Sequence, residues 1–392
     1  MFNYQGISGP AILEDLESVT SNDFGYTQGK VFNSICTIPN IVAEEVFSKY
    51  IGMNHGDLRI FPSIRYFEEK VVSYVAEILT ADLARGIVVS GATEANMLAL
   101  YLAREKAGLK VGRTGNVIVF ESRHFSIDKA CAILNLELKI LPISELNKRG
   151  DYSLLKETIT ENTICVVPTA GTSEFGAVDE INSIAEVAAQ KGIFCHVDAA
   201  SGGFLIPFAR KLGYTQLPEL SMKNPAISTV AVDPHKYGMA PIPSGILMFN
   251  NEADFNRLCF SSFFKCTQDH KTVLGTRPGA AVLATYAAMR NIGYTGYLAL
   301  TRKYFHLRDY LKGLLADKGV SFFIEPDLNI VTLGHPGVDT FISNMENGGW
   351  IISRSKKYDC LRLVIANHHT EQFIRDFANQ YINSLQSNAS YK

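Results

Sequence analysis

The chain has 392 residues, of which 47% are hydrophobic and 19% charged, with a formal net charge of −2 at pH 7. That balance excludes a disordered chain and gives no basic footprint for nucleic acid or a membrane surface. The length suits two or three domains, or one large α/β domain with a smaller companion. No apolar run approaches the roughly 18–20 residues that would span a bilayer. The opening segment, MFNYQGISGPAILEDLESVT, has no basic stretch followed by an apolar block, so no secretory signal is expected. Seven scattered cysteines form no CxxC pair. They predict a reducing, cytoplasmic setting rather than a disulfide framework, and with no HExxH or His/Cys cluster no metal is expected.

In chain order, residues 1–50 read as an N-terminal arm. YFEEKVVSYVAEIL (66–79) has helical apolar spacing, GIVVS (86–90) is a short strand entering Gly91, and TEANMLALYLAREKAG (93–108) is a helix closed by Gly108. NVIVF (116–120), ELKILP (137–142), TICVVP (163–168), GIFCHVD (192–198), STVAVD (228–233) and SGILMF (244–249) read as strands, with a helix over 179–191. Apolar strands separated by helices predict a mostly parallel sheet covered on both faces, forming a large domain over 51–285. Beyond it, a long helix (293–319), the strand-like VSFFIEP and LNIVTLG, a short helix, the strand-like CLRLVIANHH and a closing helix near 370–386 predict a small α+β domain over 286–392.

Sites of such sheets lie beyond the carboxyl ends of the strands, where Gly91, Asp198 and Lys236 all fall. Each has an ordinary explanation alone: a strand-end lysine can snorkel, an aspartate can cap a turn, and SGATEAN can simply start a helix. Together they match what pyridoxal 5′-phosphate requires. A lysine amine forms a Schiff base with the aldehyde, and a carboxylate 38 residues upstream keeps the pyridine nitrogen protonated. Gly91, Ala92 and Thr93, between strand and helix, offer backbone N–H groups, a hydroxyl and a helix N-terminus to the phosphate. His124, just after NVIVF, is placed to stack on the ring, and Ala200 is small enough for the opposite face.

SGATEANMLAL, RHFSIDKA, PTAGTSEFGAVD, HVDAASGGFLIPF, VDPHKYGMAPIPSGIL and LGTRPG, taken in order and spacing, resemble the group II pyridoxal-phosphate amino-acid decarboxylases of fold type I. The resemblance is closest to the compact archaeal L-tyrosine/L-aspartate decarboxylases, and with IEPDLNIVTL and LRLVIANH it covers nearly the whole chain. It implies an α/β, aspartate aminotransferase-like fold and decarboxylation of an L-amino acid through a Lys236 aldimine and a quinonoid. Lys236 is then the Schiff-base lysine, Asp198 the ring-nitrogen partner, and His124 and Ala200 the two faces. Ala92, Thr93 and His235 contact the phosphate, and Thr169 lies near the ring oxygen. Arg362 holds the substrate carboxylate, which suits a guanidinium fork. Thr276 reaches the phosphate of a neighbouring subunit, which implies a homodimer with shared sites.

The chain departs from that family in one place. The loop CFSSFFKCTQDHKTVLGTRPG (259–279) has no tyrosine where family decarboxylases carry one that helps to protonate the carbanion. Phe264 aligns best with that position, so another acid is required. His270, with an ordinary pKa near 6.5, is the first candidate and His235 the second. Without a fast proton the outcome would shift to oxygen and an aldehyde. The similar strings of sphingosine-phosphate lyases leave carbon–carbon cleavage as an alternative, for which Arg59, Arg65 and Lys265 are scattered basic residues. Phe32, His55 and Phe61 are expected near the mouth, where they would accept an aromatic side chain or serve as packing.

Overall fold

The computed structural model describes residues 6–26, 30–109, 114–261 and 270–389. Its centre is a seven-stranded sheet built from β1 (Arg85–Val89), β2 (Asn116–Phe120), β3 (Glu137–Leu141), β4 (Thr163–Val167), β5 (Phe194–Asp198), β6 (Thr229–Val232) and β7 (Gly245–Phe249). The order is β1-β7-β6-β5-β4-β2-β3, and only β7 runs against its neighbours. The mostly parallel sheet expected from the sequence is therefore present, and six strands aim their carboxyl ends at one edge.

Strand alternation explains why both faces are apolar. Val88, Ile118, Val166, Val197 and Val230 point into one core, completed by α3 (Ser63–Ile78), α7 (Ile181–Gln190), α8 (Ile206–Lys211) and part of α10 (Gly279–Ala316). Val89, Val117, Val119, Cys165 and Leu247 point the other way, against α4 (Ala92–Ala107) and α5 (Phe125–Leu134). Every residue of β2, β4, β5, β6 and β7 is buried, the pattern of strands covered on both faces.

A second sheet, β8-β10-β9, is antiparallel: β8 (Ile330–Gly334), β9 (Ser353–Ser355) and β10 (Cys360–Val364). It packs against Leu307, Leu311 and Leu315 of α10, with α11 (Val338–Asn347) and α12 (Glu371–Ala389). Three details differ from the sequence expectation. VSFFIEP is not a strand; it gives the sheet only the Phe323 N–H to Thr332 O bond, while Ile324 turns toward Phe175 and Pro326 has no N–H to donate. The long helix starts at Gly279 and crosses position 286, with a kink at Gly293, whose φ of +63° suits glycine. Phe32 is fully buried against Trp350, His369 and Phe377 in the small-sheet core, so it lines no mouth.

The N-terminal segment is stitched to the small sheet, to the turn after β6 and to α10. Val31 bridges to Ile351, and the Val364 N–H donates to Phe32 O. The Asn40 N–H donates to Met239 O, and α2 (Ile41–Lys49) sets Ala43 against Ala284 and Ala288 of α10. By contrast α1 (Gly9–Thr20) buries none of its residues and leaves Ile12, Leu13, Leu16 and Val19 exposed. Among the described residues no helix is long and apolar enough to cross a membrane.

Candidate active site

A pocket of about 290 Å³ opens at the carboxyl edge of the large sheet. Its lining combines Gly91–Thr93 after β1, His124 after β2, Thr169 after β4, Asp198 and Ala200 at the end of β5, and Asp233, His235 and Lys236 after β6. Nine of the twelve residues expected at the site thus meet in one cavity, brought together because each follows a strand of the same sheet. The three that do not are His270, Thr276 and Arg362.

Lys236 sits in a compact turn. Gly238 is needed there, because a Cβ would fall 2.6 Å from Pro234 Cα, and the Met239 N–H closes the turn on Lys236 O. Lys236 Nζ is 3.2 Å from Asp233 Oδ2, and His235 Nε2 is 3.6 Å from the same oxygen. Asp233 Oδ1 accepts the Ala92 N–H at 2.6 Å. The helix N-terminus expected to offer backbone N–H groups to a phosphate therefore has one of them, that of Ala92, already taken by a carboxylate to which the sequence pattern assigns no task. Thr93 is exposed beside it. His235 Nδ1 is 2.5 Å from Ser244 O, so it donates there and the ring is fixed against β7. Gly245 keeps this wall thin: a Cβ would lie 2.4 Å from Gly91 Cα.

At the opposite wall Asp198 is buried, its Oδ1 accepting the Ala200 N–H at 3.1 Å and its Oδ2 the Asn96 amide at 3.0 Å. His124 is the N-cap of α5 and its Nδ1 accepts the Ser126 N–H at 3.2 Å. Burial lowers the His124 pKa, and the nearby Asp198 carboxylate offsets part of that. Thr169 is held from below by its N–H, which donates to Asp179 at 2.7 Å.

Arg362, in mid-β10, stands just outside the cavity. Its Nε donates to Ser173 O at 2.5 Å, its Nη1 to Asn33 O at 3.0 Å and to Ser353 Oγ at 3.2 Å. Ser173 itself lines the pocket, so the guanidinium borders the site through that carbonyl. His270 instead lines a larger cavity of about 690 Å³, with His55, Arg65, Glu68 and Arg277, which Lys236 does not line. His55 is buried there and 3.1 Å from Glu68, which answers its expected place at the mouth: the pair is committed to each other. Thr276 is exposed. Phe264 and Lys265 lie outside the described residues.

Sequence reasoning passes over Asn96, Ser126, His196 and Asp233, all buried at the site. The signal for Asn96 is a polar residue on the apolar face of SGATEANMLAL; for Asp233 it is a carboxylate ending an apolar strand. Cys36 is a further omission: burial raises its thiol pKa, while the Lys236 charge pulls it down.

Residues 9–333 match the family described as the pyridoxal-dependent decarboxylase conserved domain. The chain belongs to that family. It is 35% identical to a probable L-tyrosine/L-aspartate decarboxylase of Methanothermobacter thermautotrophicus, over 90% of this chain and 97% of that protein. It is 34% identical to an L-aspartate decarboxylase of Thermococcus kodakarensis, over 96% and 98%. A glutamate decarboxylase of Lactobacillus brevis superposes with a TM-score of 0.86 at 18% identity, covering 98% of this chain and 94% of that one. A sphingosine-1-phosphate lyase of Burkholderia pseudomallei gives 0.88 at 21% identity, covering 100% and 95%. At such identities these two likenesses concern the fold, which is fold type I. This pyridoxal-dependent decarboxylase is a carboxy-lyase of amino acids, and its cofactor is pyridoxal 5′-phosphate. The pocket suits that group: it holds an amine, a buried carboxylate and an imidazole within one small cavity, beside a helix N-terminus.

Proposed function

We propose that the decarboxylase acts on L-aspartate or L-tyrosine, with L-aspartate placed first because the names of both relatives above include it. The observation that carries the site assignment is the shared cavity of Lys236, Asp198 and His124. When bound, pyridoxal phosphate supplies an aldehyde for amines and a ring that accepts the electron pair left as carbon dioxide departs. Lys236 presents its amine from the rigid end of β6, and Asp233 holds that amine in place. Asp198 offers carboxylate oxygens to a ring N–H from the base of the pocket. His124 and Ala200 provide the two faces. Gly91, Ala92, Thr93 and His235 border the phosphate end, and Thr169 the ring edge. Arg362 orients the substrate carboxylate at the entrance.

His270 is the proposed proton donor, with His235 the alternative. Because His270 lines a neighbouring cavity within one chain, its role depends on the loop and on a second subunit. We propose a homodimer in which Thr276 serves the partner site, supported by the unburied apolar residues of α1. A 1–50 arm, a large domain over 51–285 and a small one over 286–392 are part of the same reading, supported by separate apolar cores around the two sheets. Buried cysteines outside any disulfide, Cys131, Cys165, Cys195 and Cys360, support a cytoplasmic location.

The test is product analysis. Cofactor-loaded protein is incubated in air with a panel including L-aspartate, L-tyrosine and L-glutamate, and the products are read by mass spectrometry. β-Alanine or tyramine supports the reading. An aldehyde with ammonia and peroxide points instead to a loop lacking its proton donor. No product from either favoured amino acid removes the substrate assignment.

A further inference from the structure

Asn96 is completely buried in the first turns of α4, and each of its polar atoms is engaged. Its Nδ2 lies 3.0 Å from Asp198 Oδ2 and 2.8 Å from Ser126 Oγ; its Oδ1 lies 2.8 Å from His196 Nε2. Only one orientation of the amide works. Turned over, it would set a carbonyl oxygen against the acceptor oxygen of Asp198, and leave two N–H groups facing His196.

That orientation dictates every proton around it. His196 Nε2 must carry a hydrogen to donate to Asn96 Oδ1, so in the neutral ring Nδ1 accepts from the Thr229 hydroxyl, 2.8 Å away. Burial pushes the His196 pKa down to about 4, consistent with that neutral ring. On the other arm, Ser126 Oγ accepts from Asn96, so its own hydrogen points to His124 Nδ1 at 2.9 Å. The Ser126 N–H donates to the same nitrogen. His124 Nδ1 is therefore an acceptor, and the proton of the neutral ring sits on Nε2.

We infer that Asn96 is a positioning residue for the decarboxylation: one amide both clamps Asp198 against a neutral His196 and, by orienting the Ser126 hydroxyl, reinforces the His124 tautomer that the Ser126 N–H also selects. Asp198 is held by Asn96 directly, and the Nε2 donor of His124 follows from the Ser126 N–H together with the Ser126 hydroxyl that Asn96 orients. Buried networks of this kind hold geometry only when every member is satisfied, as here. The inference rests on the proposed site roles of Asp198 and His124.

The experiment uses holoenzyme and three variants, Asn96→Ala, Asn96→Asp and Ser126→Ala. It reads kcat and KM across pH, and the pH titration of the visible absorption of the bound cofactor. Asn96→Ala removes both arms; kcat should fall about 10- to 100-fold with KM changed by less than about threefold, and the absorption titration should shift. Asn96→Asp places a second carboxylate against Asp198. Its activity should be lower than that of Asn96→Ala at neutral pH and recover in part toward acid, where the introduced carboxyl, once protonated, can donate its single O–H to Asp198. Ser126→Ala loosens His124 while leaving the Asn96–Asp198 bond in place, and should cost roughly five- to tenfold with the absorption titration shifted less than in Asn96→Ala. A merely structural role predicts no acid recovery.

The inference is overturned if folded Asn96→Ala keeps wild-type kcat and titration, or if the Asn96→Asp profile runs parallel to wild type. Should Asn96→Ala not fold, a Ser126→Ala enzyme with unaltered kcat overturns the His124 arm on its own. A wild type with no cofactor absorption, or a Lys236→Ala variant that retains it, removes the site reading and this inference with it. Normal wild-type and Lys236→Ala behaviour with silent Asn96 variants removes the inference alone.

Discussion

The floor and the mouth of the pocket are built on different terms. On the floor, Asp198, Asn96, His196 and Ser126 sit on adjoining strand ends and helix starts, and all are buried with assigned hydrogen-bond partners. At the mouth, Arg362 comes from the small sheet, His270 faces another cavity and Thr276 is exposed. The difference teaches where precision comes from. Register in a parallel sheet fixes the floor, whereas the proposed mouth draws on the small sheet, on a loop and, in the proposed homodimer, on a second copy of the chain.

Variants can break or sharpen that contrast. The largest effect is expected from Lys236→Ala, which should lower kcat on the order of 10⁴-fold and abolish the visible absorption of the bound cofactor. Retained absorption in a folded variant would move the amine to another residue. Next is Gly245→Ala. Its Cβ would sit 2.4 Å from Gly91 Cα, backbone against backbone, so a loss of about 3 kcal/mol in chemical denaturation is expected, with weaker cofactor binding. A stability change under about 0.5 kcal/mol would show that the wall of the phosphate end can yield.

Two buried groups give the floor and the loop beneath it opposite responses to pH. His196 is depressed by burial to about 4, below the 6.5 of an unfolded histidine, so its contribution is present above pH 6.5 and lost as pH falls through 4. Asp179 is raised by burial to about 6, although the Thr169 and Gly150 N–H groups donate to it. Its contribution is present below the unfolded value of 3.8 and lost as pH rises through 6. Each is on the order of a few kcal/mol and the two run in opposite directions, so they offset one another in wild type. Relative to wild type, His196→Gln should gain stability by about that amount on going from pH 6.5 to 4, and Asp179→Asn should lose it. Parallel stability–pH curves for all three proteins would refute both assignments.

Smaller effects belong to the mouth. Arg362→Lys keeps the charge but loses the fork that reaches both Ser173 O and Asn33 O, and KM should rise about tenfold with kcat little altered. A fall confined to kcat would make Arg362 a prop for the Ser173 turn rather than a substrate ligand. Thr276→Ala should weaken cofactor affinity only a few-fold, and only where subunits associate. A monomer in solution with full activity would remove Thr276 and the shared site together.

Much of this is legible in the chain itself. Strand ends are marked by apolar runs breaking into Gly91, Asp198 and Lys236, and their chemistry points to one cofactor. The partners of those residues are less visible. Asn96 lies 102 residues from Asp198, and His196 33 from Thr229, so no local pattern joins them. Phe32 reads as a candidate for the mouth, yet it is a core residue of the small sheet. An aromatic residue carries the same sequence signature in either role, because burial against protein and contact with substrate both reward apolar area.

The amino-acid sequence by itself determined the alternation that makes the large sheet, the turn chemistry at its carboxyl edge and the amine, carboxylate and imidazole gathered there. These are local properties: side-chain period, small residues at close approaches, and polar groups that end apolar strands. Tertiary structure alone decided that Asp233 occupies an N–H of the helix start, that Asn96 joins Asp198 to His124, and that His270 turns to another cavity. Those are meetings between elements distant in the chain. They are settled by strand order and by the requirement that each buried polar group find a partner, which no segment can satisfy alone.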